Sequence, residues 1–192
     1  MKRWQLELKI EEADAIFGRP MGIPKTGAFG LYDLIGLDLM GDVVRSLNTI
    51  LDQGDPFMEV GGENKVVNDQ VARGFTGNKG DGGFYREVGE DKQAWDLQSG
   101  DWRPRVRELP ELAQRGEKGG INVLIEGDDK LSIFAWRVLA RILTYSASLI
   151  PDVTHSPQDI DDAMKLGYNW VQGPFEMIDT IGSGKFVERL EQ

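Results

Sequence analysis

The chain has 192 residues, a mass of 21.4 kDa, and 40% hydrophobic and 28% charged side chains, a composition that excludes a disordered chain. Its length fits one domain or two small ones. It has no cysteine, a single histidine (His155) and a net charge of −10. These exclude a disulfide scaffold, a thiol nucleophile and a thiolate or histidine-rich zinc site, and argue against electrostatic capture of nucleic acid or anionic lipid.

Trp4 to Phe17 carries apolar residues at helical spacing and stops at Gly18, with Pro20 just beyond. The start, Met1 to Lys9, lacks the apolar run of an export signal, which leads to the expectation of a cytoplasmic protein. Gly22 to Gly27, with Pro24, reads as a loop. From Ala28 to Leu51 the residues Leu31, Leu34, Ile35, Leu39, Val43, Leu47 and Ile50 recur at helical intervals, with a bend expected near Gly41. A short helix is expected over Asn64 to Arg73.

The glycine-rich stretch Gly77 to Gly83 gives way to strand patterns at 84–88, 93–98 and 101–103. Turn chemistry at Gly89-Glu90-Asp91 and Ser99-Gly100 separates them, so a β meander over about 84–103 is expected. Such a unit needs helices to pack on. A short helix near Glu111 to Arg115 ends at Gly119-Gly120. Asp128 and Asp129 stand where a cap and a first-turn acid belong, ahead of a long apolar helix that Pro151 ends. Arg137 and Arg141 interrupt its apolar run, so it reads as a buried helix and not a membrane span.

Ser156-Pro157-Gln158-Asp159 offers a capping hydroxyl, a first-turn proline and an acid, starting a helix that runs to Leu166-Gly167. The last helix begins at Pro174 or Phe175 and continues to the C-terminus. The chain reads as mainly α: a first helical unit over 1–53, a connecting segment over 54–120 and a second helical unit over 121–192.

The two helical units are related to each other. Gly27-Ala28-Phe29-Gly30-Leu31-Tyr32-Asp33-Leu34-Ile35-Gly36 aligns with Gly173-Pro174-Phe175-Glu176-Met177-Ile178-Asp179-Thr180-Ile181-Gly182, in the shared order Gly-x-Phe-x-x-x-Asp-x-Ile-Gly. Upstream, Asp14-Ala15-Ile16 echoes Asp162-Ala163-Met164 with a one-residue gap. Each unit is therefore a helix, a glycine turn, a loop and a second helix. The Phe and Asp fall on one face of that second helix, four residues apart. The helices after Gly27 and Gly173 are expected to pack in equivalent settings. From these residues alone, caps and core packing account for the pattern better than catalysis does.

The same residues resemble a known family. Asp162 to Trp170 followed by Gly173-Pro174-Phe175-Glu176 is similar to the signature of the C-terminal domain of L-3-hydroxyacyl-CoA dehydrogenase. Glu11 to Ala15 and Gly18 to Gly27 resemble the longer-loop copy in bacterial β-oxidation enzymes that carry tandem copies. Gly77-Asn78-Lys79-Gly80-Asp81-Gly82-Gly83-Phe84-Tyr85 resembles the family's Gly-x-Lys-x-Gly-x-Gly-Phe-Tyr segment, departing at Asp81, where the family usually has glycine.

The resemblance implies a fold of the 6-phosphogluconate-dehydrogenase C-terminal-domain type and a role on the substrate side, or in dimerisation, of an NAD-dependent enzyme of fatty acid β-oxidation. It also implies that NAD and the catalytic His–Glu pair belong to a separate NAD-binding domain. The present chain has no strand–Gly-x-Gly-x-x-Gly–helix pattern. This chain is accordingly expected to hold no cofactor, metal or catalytic residue of its own and to be inactive alone. Its expected partners are acyl-CoA, the enzyme's NAD-binding domain and, through the dimerisation role, a further copy; neither nucleic acid nor a membrane span is expected. The expected substrate-facing residues are Met21, Lys25, Gly27, Ala28 and Phe29. Asp33, Gly36, Gly173, Pro174, Phe175, Asp179 and Gly182 are expected to be structural. The alternatives are a non-catalytic helical interaction module, or a region serving a different hydroxyacid.

Other candidates read more plainly. His155 has no orienting partner evident in the sequence, and Asp159, Asp161 and Asp162 fall in the first turn of a helix, where capping explains them. Neither Gly77 to Gly83 nor Gly182-Ser183-Gly184-Lys185 matches a phosphate-binding loop. Lys25 and Arg19 flank the first loop, where they suit either solvent or an anionic group such as a CoA phosphate.

Overall fold

The computed structural model describes residues 7–191. In chain order the helices are α1 (Ile10–Ile16), α2 (Gly27–Ile35), α3 (Leu37–Ile50), α4 (Lys65–Ala72), α5 (Glu111–Gly119), α6 (Ile121–Ile125), α7 (Lys130–Ser148), α8 (Pro157–Tyr168), α9 (Pro174–Ile181) and α10 (Ser183–Leu190). The strands β1 (Tyr85–Val88), β2 (Asp91–Asp96) and β3 (Asp101–Pro104) lie between α4 and α5. The protein is mainly helical with one small antiparallel sheet. Its residues form two compact units, one of Glu12–Gly27 with the chain from Glu108 onward, the other of Lys9–Glu11 with Ala28–Arg107. The division thus falls inside the 54–120 segment and, in the first repeat, between Gly27 and Ala28.

The core of the first unit is built around α7. Asp129 caps it, accepting the backbone N–H groups of Leu131 and Ser132 at 2.9 and 3.3 Å. Ser132, Ala135, Leu139, Leu143 and Ser146 recur at helical spacing and form its buried face. Of these, Ala135, Leu139 and Leu143 meet Met21, Ile121, Leu124, Met177, Ile181 and Phe186 in a single apolar cluster. Each fully buried Leu or Met there contributes about 1.5–3 kcal/mol. Helix α6 was not evident in the sequence: five residues after a glycine pair are too few to show a period.

In the second unit the strands pair in the order β1-β2-β3, with Tyr85 opposite Ala94 and Trp95 opposite Trp102. Ala94, Trp95 and Phe84 pack with Leu37, Val67 and Ile10, and Phe29 and Tyr32 flank them. Glu11 ties this layer together, its two oxygens accepting from the Arg103 guanidinium at 2.7 and 2.5 Å and one of them also from Val106 N–H at 2.8 Å. Burial opposes ionisation of Glu11, but the bonds from Arg103 and Val106 outweigh it and hold the carboxyl below its ordinary range.

Several expectations need correction. The long helix expected over 28–51 breaks at Gly36 and not near Gly41, and the last helix breaks at Gly182. Both glycines adopt left-handed φ with extended ψ (109°, 129° and 91°, 115°), a conformation that costs other residues strain. Gly41 sits in ordinary helix. Strand β2 begins at Asp91, because the hairpin uses only Gly89 and Glu90 as its loop, and Leu97 and Gln98 are turn. Ser156 makes no side-chain cap; Thr154 Oγ1 donates to Asp159 instead, at 2.6 Å. The Trp4–Leu6 part of the first expected helix lies outside the described residues. No helix among the described residues is long and apolar enough to cross a membrane.

Candidate functional site

The repeated glycine–helix junctions organise the surroundings of the loops. In the second repeat, Gly173 precedes α9 and has no side chain with which to cap it. The capping carboxylate comes from α8: Asp161 accepts Phe175 N–H at 2.7 Å and Glu176 N–H at 3.2 Å. A Cβ on Gly173 would overlap the Cα and side chain of Asp161, so glycine is required for the approach. Asp161 is 3% exposed, and burial raises its pKa despite the two amides that favour the charged form. Beside it, Lys165 Nζ bonds Glu176 at 2.5 Å, and Glu176 accepts Gly173 N–H at 2.9 Å. The Lys165 bond, and then that amide, lower the Glu176 pKa.

The first repeat has the same close approach. A Cβ on Gly27 would come within 2.5 Å of the Asp14 side chain. Asp14 thus corresponds to Asp161 in space, one position before the Asp162 that the sequence alignment selects. Asp161 is also not a surface acid of its own helix, as its place in the 159–162 cluster suggests. The three acids of that cluster serve different partners: Asp159 takes Thr154, Asp161 caps α9, and Asp162 takes Gln158 at 2.8 Å. No metal-binding group of three such side chains exists among the described residues.

Asp33 is the other buried carboxylate, 2% exposed. It accepts Phe84 N–H and Tyr85 N–H, each at 2.7 Å. Gly77 and Gly83 pack so closely on Asp33 that neither position has room for a Cβ. Phe29 meets Phe84 edge-on with ring centres 4.8 Å apart. Lys79 Nζ pairs with Asp38 Oδ1 at 2.6 Å, fastening the same segment to the first turn of α3. Gly77, Gly83 and Lys79 of the Gly77–Tyr85 motif are therefore explained by its close fit over α2 and α3.

This geometry also bears on NAD. A dinucleotide needs unspent amides at a strand-to-helix turn. Here the glycine-rich segment leads into a strand and surrounds a carboxylate, which repels a pyrophosphate. The Gly182–Lys185 segment is the α9–α10 hinge. Neither glycine-rich segment offers a dinucleotide such a turn.

The expected substrate-facing residues separate on inspection. Met21 is fully buried in the core of its unit. Its side chain cannot face a ligand from there, a correction caused by the Arg19–Met21 3-10 turn that directs it inward. Gly27 is buried against Asp14, Ala28 and Phe29 are half-buried, and Lys25 is exposed. His155 is exposed, with no carboxylate partner among the described residues. Two concavities lie in the second unit. One, of about 300 Å³, is lined by Tyr32, Met40, Val44, Phe57 and Val67; the other, an open polar groove of about 700 Å³, runs between the Phe75–Gly82 loop and β1. Burial raises the Tyr32 pKa, so its phenol stays protonated.

The family described as 3-hydroxyacyl-CoA dehydrogenase, C-terminal domain, matches residues 4–87 and 134–190, leaving out most of the sheet, α5 and α6. The "Probable 3-hydroxyacyl-CoA dehydrogenase" of Bacillus subtilis (strain 168) is 34% identical over 189 residues, covering 96% of this chain and 24% of the relative. The "Putative fatty acid oxidation complex trifunctional enzyme" of Rickettsia prowazekii (strain Madrid E) is 33% identical over 177 residues, covering 89% of this chain and 24% of the relative. The chain thus spans about a quarter of the length of these curated relatives.

Proposed function

Because the chain belongs to the 3-hydroxyacyl-CoA dehydrogenase C-terminal domain family, we propose that it supplies the substrate-side helical region of an NAD-dependent L-3-hydroxyacyl-CoA dehydrogenase of fatty acid β-oxidation. The redox chemistry belongs to a separate NAD-binding domain, which this region partners in the cytoplasm. The observation that carries the reading is the pair of glycine–helix junctions, Asp14 with Gly27 and Asp161 with Gly173, set in the part of the chain that the family covers. In this reading residues 1–53 and 121–192 act as two copies of one module.

The substrate-side surface centres on Lys25, an exposed cation on the loop that leads to Gly27, Ala28 and Phe29. A cation there suits a CoA phosphate. Leu34, Leu39 and Val43 are 61%, 47% and 42% exposed on α2 and α3 and give the module an apolar face for self-association. Lys25→Ala in a dehydrogenase containing this region tests the assignment. The expected result is a several-fold rise in KM for the acyl-CoA with kcat preserved, since the charge contributes binding and not chemistry. An unchanged KM contradicts it.

A further inference from the structure

We infer that the cavity of about 300 Å³ beside α3 is a small-molecule site, and that its ligand is a neutral, flat ring compound carrying a hydrogen-bond acceptor. Its walls come from residues 32–68, all within the second unit, so neither a chain end nor the division between units shapes it. On α3, Met40, Val44 and Asn48 fall four residues apart and present one stripe to the space. Tyr32 of α2, Phe57 and Val67 of α4 complete the lining. The wall facing α3 is held in place. Gly61 N–H donates to Phe57 O at 2.7 Å, and the Phe57 ring lies so close to Gly61 that a Cβ has no room. Asn48 Nδ2 donates to Gly61 O and fastens that turn to α3.

The lining defines the chemistry of the ligand. The space is far larger than one water needs and reaches the lower end of small-molecule cavities. Its aromatic and aliphatic side chains favour a ring, and the Met40 thioether suits an aromatic edge. The acceptor is called for by Tyr32. Its phenol makes no hydrogen bond among the described residues, and burial keeps it protonated, so it offers an unspent donor. Asn48 Oδ1 accepts no bond among the described residues either, which suits an N–H beside that acceptor, as in a carboxamide. Charge decides the rest. Arg45, the cation in the lining, is already paired with Asp42, whereas Glu63 has no ion pair among the described residues. An anion would meet a carboxylate and no unspent cation, so the ligand is neutral.

The probe is 2-naphthamide, a neutral bicyclic carboxamide, titrated by its own fluorescence into this chain and into a longer dehydrogenase that contains the region. Saturable binding is expected in both. Tyr32→Phe keeps the ring and removes the donor, and is expected to weaken binding about fivefold, the loss of one hydrogen bond. Val44→Phe fills part of the space and is expected to abolish binding, with circular dichroism confirming that both variants are folded. 2-Naphthoate, the same rings with a charged carboxylate, is expected to bind about tenfold more weakly than the amide. Absence of saturable binding, or binding that Tyr32→Phe leaves unchanged, overturns the proposal, as does equal binding of the naphthoate. Binding by this chain but not by the longer enzyme also overturns it, because another part of that polypeptide then occupies the cavity.

Discussion

Helices α2 and α9 have the same glycine entry, the same Phe and Asp four residues apart, and the same left-handed glycine exit, yet their carboxylates have opposite fates. Asp33 is buried under Phe84 and Tyr85 and anchors a strand; Asp179 is exposed. The helix itself does not decide between these outcomes. The difference is the segment Gly77–Tyr85, which covers the face of α2 and has no counterpart on α9 among the described residues. By contrast, the close approach of an aspartate recurs at Gly27 and Gly173, at a distance no Cβ permits, although φ is 68° at Gly27 and −76° at Gly173. A repeat therefore preserves what its own backbone requires, while its surface residues are free to take different partners.

The comparison is broken most strongly at Asp33. Asp33→Ala leaves two amides without their acceptor and is expected to cost about 3 kcal/mol, measured by denaturant unfolding. Asp179→Ala is expected to change stability by no more than about 0.5 kcal/mol. Equal losses at the two positions contradict the asymmetry. Gly173→Ala probes what the copies share. Its Cβ must displace Asp161 from the α9 amides, at an expected cost of about 2 kcal/mol.

The smallest expected effect is in pH dependence. The folded pKa of Glu11 is lowered, so its contribution is present above the unfolded pKa and is lost as pH falls through the folded one. Unfolding measured from neutral pH down to the acid range is therefore expected to show a shallower loss for Glu11→Gln than for the parent chain. An unchanged slope removes Glu11 from the account.

Much of this was legible in the sequence. The Phe and Asp spacing and the glycine pairs are local, and periodicity and turn chemistry report them directly; the cap of α7 falls on Asp129, one residue after the Asp128 expected there. The misplaced bend has a physical reason: Gly36 and Gly41 both interrupt an apolar helical pattern, but only Gly36 must adopt a left-handed φ, where Leu37 N–H turns to Thr76 O. The pairing of Asp161 with Gly173 was hidden because Asp161 and Asp162 are adjacent in sequence. Only three-dimensional packing shows which of the two points at α9. Met21 was misjudged because a 3-10 turn, unlike an α-helix, leaves too short a pattern to reveal its inner face.

The central claim is that this helical region serves a dehydrogenase whose redox chemistry resides elsewhere. It is tested most directly by following NADH absorbance with acetoacetyl-CoA, using this chain alone and a longer enzyme that includes both this region and an NAD-binding domain. The account predicts no turnover from the chain alone and turnover from the longer enzyme. Saturable turnover by the chain alone, above all if abolished by substituting His155, would contradict it.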